Sequence, residues 1–297
     1  MLSAAQREEY DRVGAIVVPH VLSPTEVTRL RKVTDELVEA SRAITTHTDI
    51  YDLEDTHSPA QPRVRRIKTP HLVHAEYAAL VRHPGILAVL QDLWGPDIRF
   101  DTAKLNLKSA GYGAAVEWHQ DWAFYPHTND DLAAVGVMMD DMELANGPLM
   151  ILPGSHKGPV HDHHFEGKFC GAMDPTKDGL DYSKALPLTG RAGSITVHHV
   201  RAVHGSAVNT SNKDRRLLLF QFRAADAWPL ITPPKDLAAY DALMVAGSPT
   251  LTPRVTAVPV RVPLPPADMQ GSIYENQKAL ANRYFAVPEG LGRTAAE

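Results

Sequence analysis

The hydrophobic pattern of this chain changes period near residue 98, and that change limits the folds open to it. Before it, the apolar spacing is helical: Val27, Leu30, Val33, Leu37 and Ala40 recur as the stripe of an amphipathic helix. Just ahead of them Ser23-Pro24-Thr25-Glu26 combines a capping box with proline at the first helical position, so the pattern predicts a helix from Pro24 to about Arg42. Ala15-Ile16-Val17-Val18 is a short β-branched run and reads as a strand. A second helical block is expected from His74 to about Leu93, broken at Pro84-Gly85 and ended by Gly95-Pro96.

Beyond residue 98 the period shortens to two. Phe100 to Leu107 alternates, placing Lys104, Asn106 and Lys108 on one face. Further strands are expected at Ala134–Met139, Leu149–Leu152, Ser194–His199, Ala202–Val208 and Arg215–Phe222, with turn signals such as Asn146-Gly147-Pro148 between them. Helices first and many short strands after predict an α+β, mainly β arrangement, with N-terminal helices packed on one sheet of a sandwich or jelly roll. Residues 156–190 carry little periodicity and read as a long loop beside a site, or an insertion. No repeat or low-complexity linker divides the 297 residues. They are read as a single domain 1–297, with a mainly helical N-terminal region (1–97), a core (98–225) and a C-terminal extension (226–297). The extension is proline-rich and then helical from about Tyr274 to Tyr284, placed either to cover a pocket or to mediate a homo-oligomer.

Composition excludes several partners. A net charge of −5 supplies no basic stripe for nucleic acid and no polybasic patch for a membrane surface. The single Cys170 rules out an intramolecular disulfide framework and a cysteine zinc site. Charges within Met1 to Tyr10 break the apolar stretch a signal peptide needs, and no window offers about 18 uninterrupted apolar residues. The expected setting is the reducing cytoplasm, and the expected partner a small molecule.

Against that background His119-Gln120-Asp121 stands out. In an extended segment residues i and i+2 point to the same side, so His119 and Asp121 can reach one ion. Two imidazoles and one carboxylate, with His204 as the second imidazole, suit ferrous iron and leave a face open for oxygen and a bidentate 2-oxo acid. An isolated His-x-Asp is also common in surface loops. His204 strengthens the metal reading because it follows the apolar Ala202-Val203 and precedes Gly205-Ser206, where backbone and hydroxyl can approach a ligand. Arg215 opens the apolar strand Arg215 to Phe222, and its inward face would carry a guanidinium that needs an anionic partner. The planar fork of arginine matches a carboxylate with two hydrogen bonds. Arg216, on the other face, reads as the exposed start of the strand.

Glu117-Trp118-His119-Gln120-Asp121, Asn146-Gly147-Pro148-Leu149, Leu152 to Gly158, Gly193 and His204-Gly205-Ser206 together resemble the phytanoyl-CoA dioxygenase family over roughly residues 10–225. The resemblance implies a double-stranded β-helix, a jelly-roll variant, that uses Fe(II), 2-oxoglutarate and O2 to hydroxylate an unactivated C–H bond with release of succinate and CO2. It implies His119, Asp121 and His204 as iron ligands and Arg215 as the clamp on the distal carboxylate of 2-oxoglutarate. It also implies Ser206 as a hydrogen-bond donor to that carboxylate and Gln120 as a pocket-lining residue. The presence of Asp121, where related halogenases carry a small residue, points to hydroxylation.

Other residues are expected near the pocket on weaker grounds. Lys104, with Asn106 and Lys108, would meet the cosubstrate or an acidic substrate, or else form a solvated face. Arg66 and Lys68 are placed at the pocket mouth, and Trp122, Phe124 and Tyr125 as cavity wall or core. His161, His163 and His164 read as loop residues, and one of His198 and His199 is expected beside the site. Two other functions use the same fold: a cupin-like metal hydrolase or isomerase, which has no need of Arg215, and a jelly-roll binding module without metal.

Overall fold

A computed structural model of the chain describes residues 1–266 and 272–285. The expected C-terminal extension therefore has two stretches, 267–271 and 286–297, outside the described residues. Helix α1 (Ala4–Val13) leads into β1 (Ala15–Val18) and α2 (Pro24–Ala40). The capping box is formed as the sequence predicts: Ser23 Oγ accepts from Glu26 N while the Glu26 carboxylate accepts from Ser23 N. Strands β2 (Tyr51–Leu53) and β3 (Val64–Lys68) follow, then three short helices, α3 (Pro70–Val73), α4 (Ala75–Leu80) and α5 (Pro84–Trp94). The second helical block thus starts before His74, at a proline in the first turn. It breaks before Pro84, where the His83 ring takes over as cap for Gly85 N.

The β region comprises β4 (Ile98–Lys108), β5 (Val116–His119), β6 (Leu132–Met138), β7 (Met150–Ile151) and the small hairpin β8 (His164–Phe165) and β9 (Lys168–Phe169). It continues with β10 (Leu186–Pro187), β11 (Ile195–His199), β12 (His204–Ser206), β13 (Arg215–Ala224) and β14 (Met244–Ala246). One sheet runs in the order β1-β11-β6-β13-β4-β3-β2, with β14 on β4; a smaller one runs β10-β7-β12-β5. All pairings are antiparallel, and the two sheets face each other as a jelly roll. No described helix is long and apolar enough to cross a membrane.

Strand β13 shows how the alternation builds two layers. Leu218, Phe220 and Phe222 join Leu30, Val33, Ile86 and Leu90 in the main core, which cements the N-terminal helices to the outer face of the large sheet. Arg215, Leu217 and Leu219 point the other way, into the space between the sheets. On the neighbouring strand Leu105 and Leu107 take the helix side, and Lys104 and Asn106 the interior. The register places Lys104 beside Leu219, Asn106 beside Leu217 and Lys108 beside Arg215. The polar face of β4 is therefore interior, and not the solvated face that composition also allowed. Leu218→Ala, at a fully buried position, is expected to cost about 2–5 kcal/mol in denaturant unfolding, because the rigid helix-on-sheet contact cannot collapse around the cavity.

The C-terminal tail departs from expectation. A helix there spans only Ile273–Asn276, followed by a 3-10 turn at Gln277–Ala279, and residues 280–285 are not helical. Other contacts outcompete the helical ladder there. The Glu117 carboxylate accepts from Tyr284 N and Phe285 N, and the Phe285 ring stacks on Trp118 at 5.3 Å.

Candidate active site

His119 ends β5, His204 begins β12, and the two face each other as register partners across the small sheet. Their rings lie 4.1 Å apart between centroids. Asp121 opens a 3-10 turn immediately after β5, which swings its carboxylate back to the same point, with Oδ1 3.8 Å from His119 Nε2. One ligand atom from each of His119, Asp121 and His204 lies within 4.8 Å of the others, and all three residues are buried.

The protonation states suit a metal. His119 Nδ1 donates to Glu117 O (2.8 Å) and His204 Nδ1 to Ala202 O (2.9 Å), so each ring keeps its Nε2 lone pair for the shared point. Burial pushes His119 down to about 4, against the pull of Asp121, and pushes His204 well below the ordinary histidine value. Burial acts to raise Asp121, but Lys104, His198, His204 and His119 overcome it and hold the group as a carboxylate. Two neutral imidazoles and one anion are the donor set of a ferrous facial triad.

A second feature lies along the same cavity. Arg215 is 2% exposed, its Nη2 donates to Gly147 O at 2.6 Å, and its Nε finds no partner among the described residues. No carboxylate among the described residues comes within 4 Å of it. Burial pulls the guanidinium down to about 10, with Tyr274 and Asp140 opposing. Gly147 sits at φ +68, and a Cβ there would stand 2.5 Å from Ala207 O, so the turn that aims this carbonyl at Arg215 requires glycine. Lys108 donates to Ser206 Oγ (2.9 Å) and to the Ala207 carbonyl. Since Ser206 Oγ accepts from Lys108, its own proton is free for a ligand. A buried cation with an unfilled hydrogen-bonding fork and a hydroxyl beside it form a receptor for an anion.

Of the other residues read from the sequence, Lys104 and Asn106 line the cavity, and Lys104 lies toward Asp121. His198 also lines it, Nε2 3.8 Å from Asp121 Oδ2, while His199 faces away against Tyr10 and His156. Arg66 pairs in register with Asn106 and its Nε is unpartnered, whereas Lys68 is engaged by Asp52 at 2.9 Å.

Gln120 does not line the cavity. Its side chain points opposite to those of His119 and Asp121, donates to Pro159 O (3.1 Å) and Arg201 O (2.8 Å), and accepts from His161 N. It braces the loop after β7, a structural task. His163 shares that task, its Nε2 accepting from Gln120 N. Trp122 is core, with its indole donating to Pro259 O; Phe124 presses edge-on against His119. Tyr125 lines an adjoining cavity behind Asp121, its hydroxyl against Gln221. Ile273 and Tyr274, from the C-terminal extension, line the main cavity, the first of the two roles expected of that extension; a helical spacing in a tail does not say which of its residues docks.

The profile of the family described as phytanoyl-CoA dioxygenase (PhyH) matches residues 10–217. A probable alpha-ketoglutarate-dependent hypophosphite dioxygenase of Stutzerimonas stutzeri is 37% identical over 286 residues, covering 95% of this chain and 99% of that one. L-proline trans-4-hydroxylase of Streptomyces griseoviridis is 30% identical over 240 residues, covering 74% and 86%. Among solved structures, EvdO2 from Micromonospora carbonacea var. aurantiaca complexed with 2-oxoglutarate superposes with a TM-score of 0.60 at 26% identity, covering 79% of this chain and 96% of that one.

Proposed function

The chain belongs to the phytanoyl-CoA dioxygenase family, and from that membership we propose that His119, Asp121 and His204 hold its iron and that Arg215 and Ser206 hold the distal carboxylate of 2-oxoglutarate. It is an Fe(II)- and 2-oxoglutarate-dependent dioxygenase acting on a small-molecule substrate. The observation that carries the residue assignment is the juxtaposition, in one cavity, of a preset two-histidine, one-carboxylate cluster with a buried arginine that has no anionic partner among the described residues. Neither a cupin-like hydrolase nor a metal-free binding module accounts for both.

Iron held by His119, Asp121 and His204 would supply the oxidative chemistry that couples decarboxylation of 2-oxoglutarate to oxygenation of the substrate. The protein's own tasks follow from its side chains. The carbonyls of Glu117 and Ala202 fix the histidine tautomers. Arg215 neutralises the distal carboxylate and Ser206 donates to it. The apolar Leu149, Leu217 and Leu219 keep water from the space between the sheets.

The substrate is read as a compact anion. Lys104 has no hydrogen bond or ion pair among the described residues, lies at the Asp121 end of the cavity rather than the Arg215 end, and so suits a substrate oxyanion beside the metal. The relative named for hypophosphite, which spans nearly the whole chain, supports the same reading. Hydroxylation of a P–H bond of hypophosphite would give phosphite, with one atom of dioxygen in that product and the other in succinate. A succinate-release assay with hypophosphite, proline and ectoine is expected to respond to hypophosphite; a response to the zwitterions alone would overturn the anion reading. Lys104→Met is expected to raise KM for the anion roughly tenfold to a hundredfold, the worth of a hydrogen bond to a charged group, with 2-oxoglutarate affinity and iron content unchanged. A weakened 2-oxoglutarate affinity would instead assign Lys104 to the cosubstrate.

The helical N-terminal region, the core 98–225 and the C-terminal extension are read as one oxygenase domain spanning 1–297. A main core that joins the helices to the sheet supports this, as does Tyr274 reaching the cavity. A cytoplasmic location fits the single, buried, free Cys170.

A further inference from the structure

Among the cavity residues beyond the family match, which ends at residue 217, Tyr274 carries a polar group. Its side chain is 5% exposed and its hydroxyl has no hydrogen-bond partner among the described residues. A buried phenol left unpaired is costly. The hydroxyl belongs to a residue lining the same cavity as Arg215, Ser206 and Asn106, whose Oδ1 is likewise unpartnered.

Nothing about the position is loose. The Arg65 guanidinium lies 4.8 Å over the Tyr274 ring and is itself bonded to the Glu275 carboxylate. One turn on, Gln277 accepts from Glu117 N (2.9 Å) and donates to Gly171 O (2.9 Å). The Glu117 carboxylate holds Tyr284 N and Phe285 N in turn. The segment is thus tied through Gln277, Tyr284 and Phe285 to Glu117, in the strand that ends in His119, and through Glu275 to Arg65 of β3. Arg215 and Tyr274 are close enough to perturb each other: the guanidinium favours the ionised phenol, which burial opposes more strongly, so the group stays a neutral O–H donor.

Building on the 2-oxoglutarate assignment of Arg215, we propose that the Tyr274 hydroxyl donates a hydrogen bond to the distal carboxylate of 2-oxoglutarate, so that the C-terminal segment 272–285 completes the cosubstrate pocket. Tyr274 is a positioning residue: it fixes the far end of the cosubstrate and touches no reacting atom. A carboxylate in that place accepts from Arg215, Ser206 and Tyr274, and leaves Lys104 at the other end of the cavity for the substrate.

The test is an anaerobic titration of the full-length Fe(II) protein with 2-oxoglutarate, read by the visible charge-transfer band of the chelate, for wild type and Tyr274→Phe. A parallel titration uses 2-oxobutyrate, which keeps the chelating end and lacks the distal carboxylate. The expected result is a roughly tenfold to hundredfold weaker Kd for 2-oxoglutarate in Y274F, with 2-oxobutyrate unchanged. Y274F is expected to melt no lower than wild type without ligand, because it removes an unpaired buried hydroxyl. Equal 2-oxoglutarate affinity in the two proteins would overturn the proposal, and so would an equal loss for both 2-oxo acids, which would mark a change of pocket shape. Absence of any band in the wild type would defeat the parent assignment instead.

Discussion

Asp121→Ala is expected to release no measurable succinate and to retain no iron through gel filtration. The carboxylate is the only anionic ligand of the cluster, and it sits buried among Lys104, His119, His198 and His204, all of which hold it ionised. Removing it leaves two neutral imidazoles facing a lysine, a site that repels a divalent cation. Metal catalysis of this kind is worth several kcal/mol, so at about 1.4 kcal/mol per tenfold the loss should reach roughly a thousandfold or more. His199→Gln is the informative companion. His199 is next in sequence to the cavity residue His198 but packs against Tyr10 and His156 on the other side of the sheet. Iron content and succinate release should survive that change. Loss of iron from H199Q with retention in D121A would place the metal elsewhere.

Arg215→Met is expected to separate function from stability. Among the described residues the buried guanidinium meets no carboxylate, holds one hydrogen bond to Gly147 O, and leaves Nε unpaired. Truncating one partner of a buried charge pair in a complex costs about 2–5 kcal/mol or more, which corresponds to roughly thirtyfold to several thousandfold in the Kd for 2-oxoglutarate. The ligand-free protein should gain or hold its melting temperature, because an apolar side chain of similar reach replaces an uncompensated buried charge. Addition of 2-oxoglutarate should then shift the melting temperature of wild type and leave that of R215M in place. A drop in ligand-free stability with unchanged 2-oxoglutarate affinity would make Arg215 a structural residue. Its neighbour Arg216 is a control for the alternation: it points to the helix side and pairs with Asp140 at 2.8 Å and Asp35 at 2.6 Å, so R216A should weaken the fold without touching 2-oxoglutarate.

Much of this arrangement was legible in the residue pattern because the determinants are local. The Ser23 capping box, the period-two faces of β4 and β13, and the glycine of the Asn146–Pro148 turn each act over a few residues. The same alternation that brings His119 and Asp121 together also sends Gln120 the other way, so its bracing role followed from the rule that found the cluster. Resemblance suggested a pocket residue; geometry assigns it to the loop. Alternation narrowed His198 and His199 to one without choosing, since the choice depends on which face of β11 meets the small sheet. Tyr274 lay beyond reach for a different reason. Its place is fixed by Arg65, Gln277 and Glu117, contacts between segments far apart in sequence, and no local spacing encodes where a tail docks.

The central claim is that a three-residue iron site and a buried arginine share one cosubstrate. Anaerobic titration of the Fe(II)-loaded protein with 2-oxoglutarate tests it most directly. A visible charge-transfer band is expected that saturates in wild type, requires far more 2-oxoglutarate in R215M, and does not form in D121A. A wild-type protein that gives no band, or an R215M protein that gives the wild-type band at limiting 2-oxoglutarate, would contradict it.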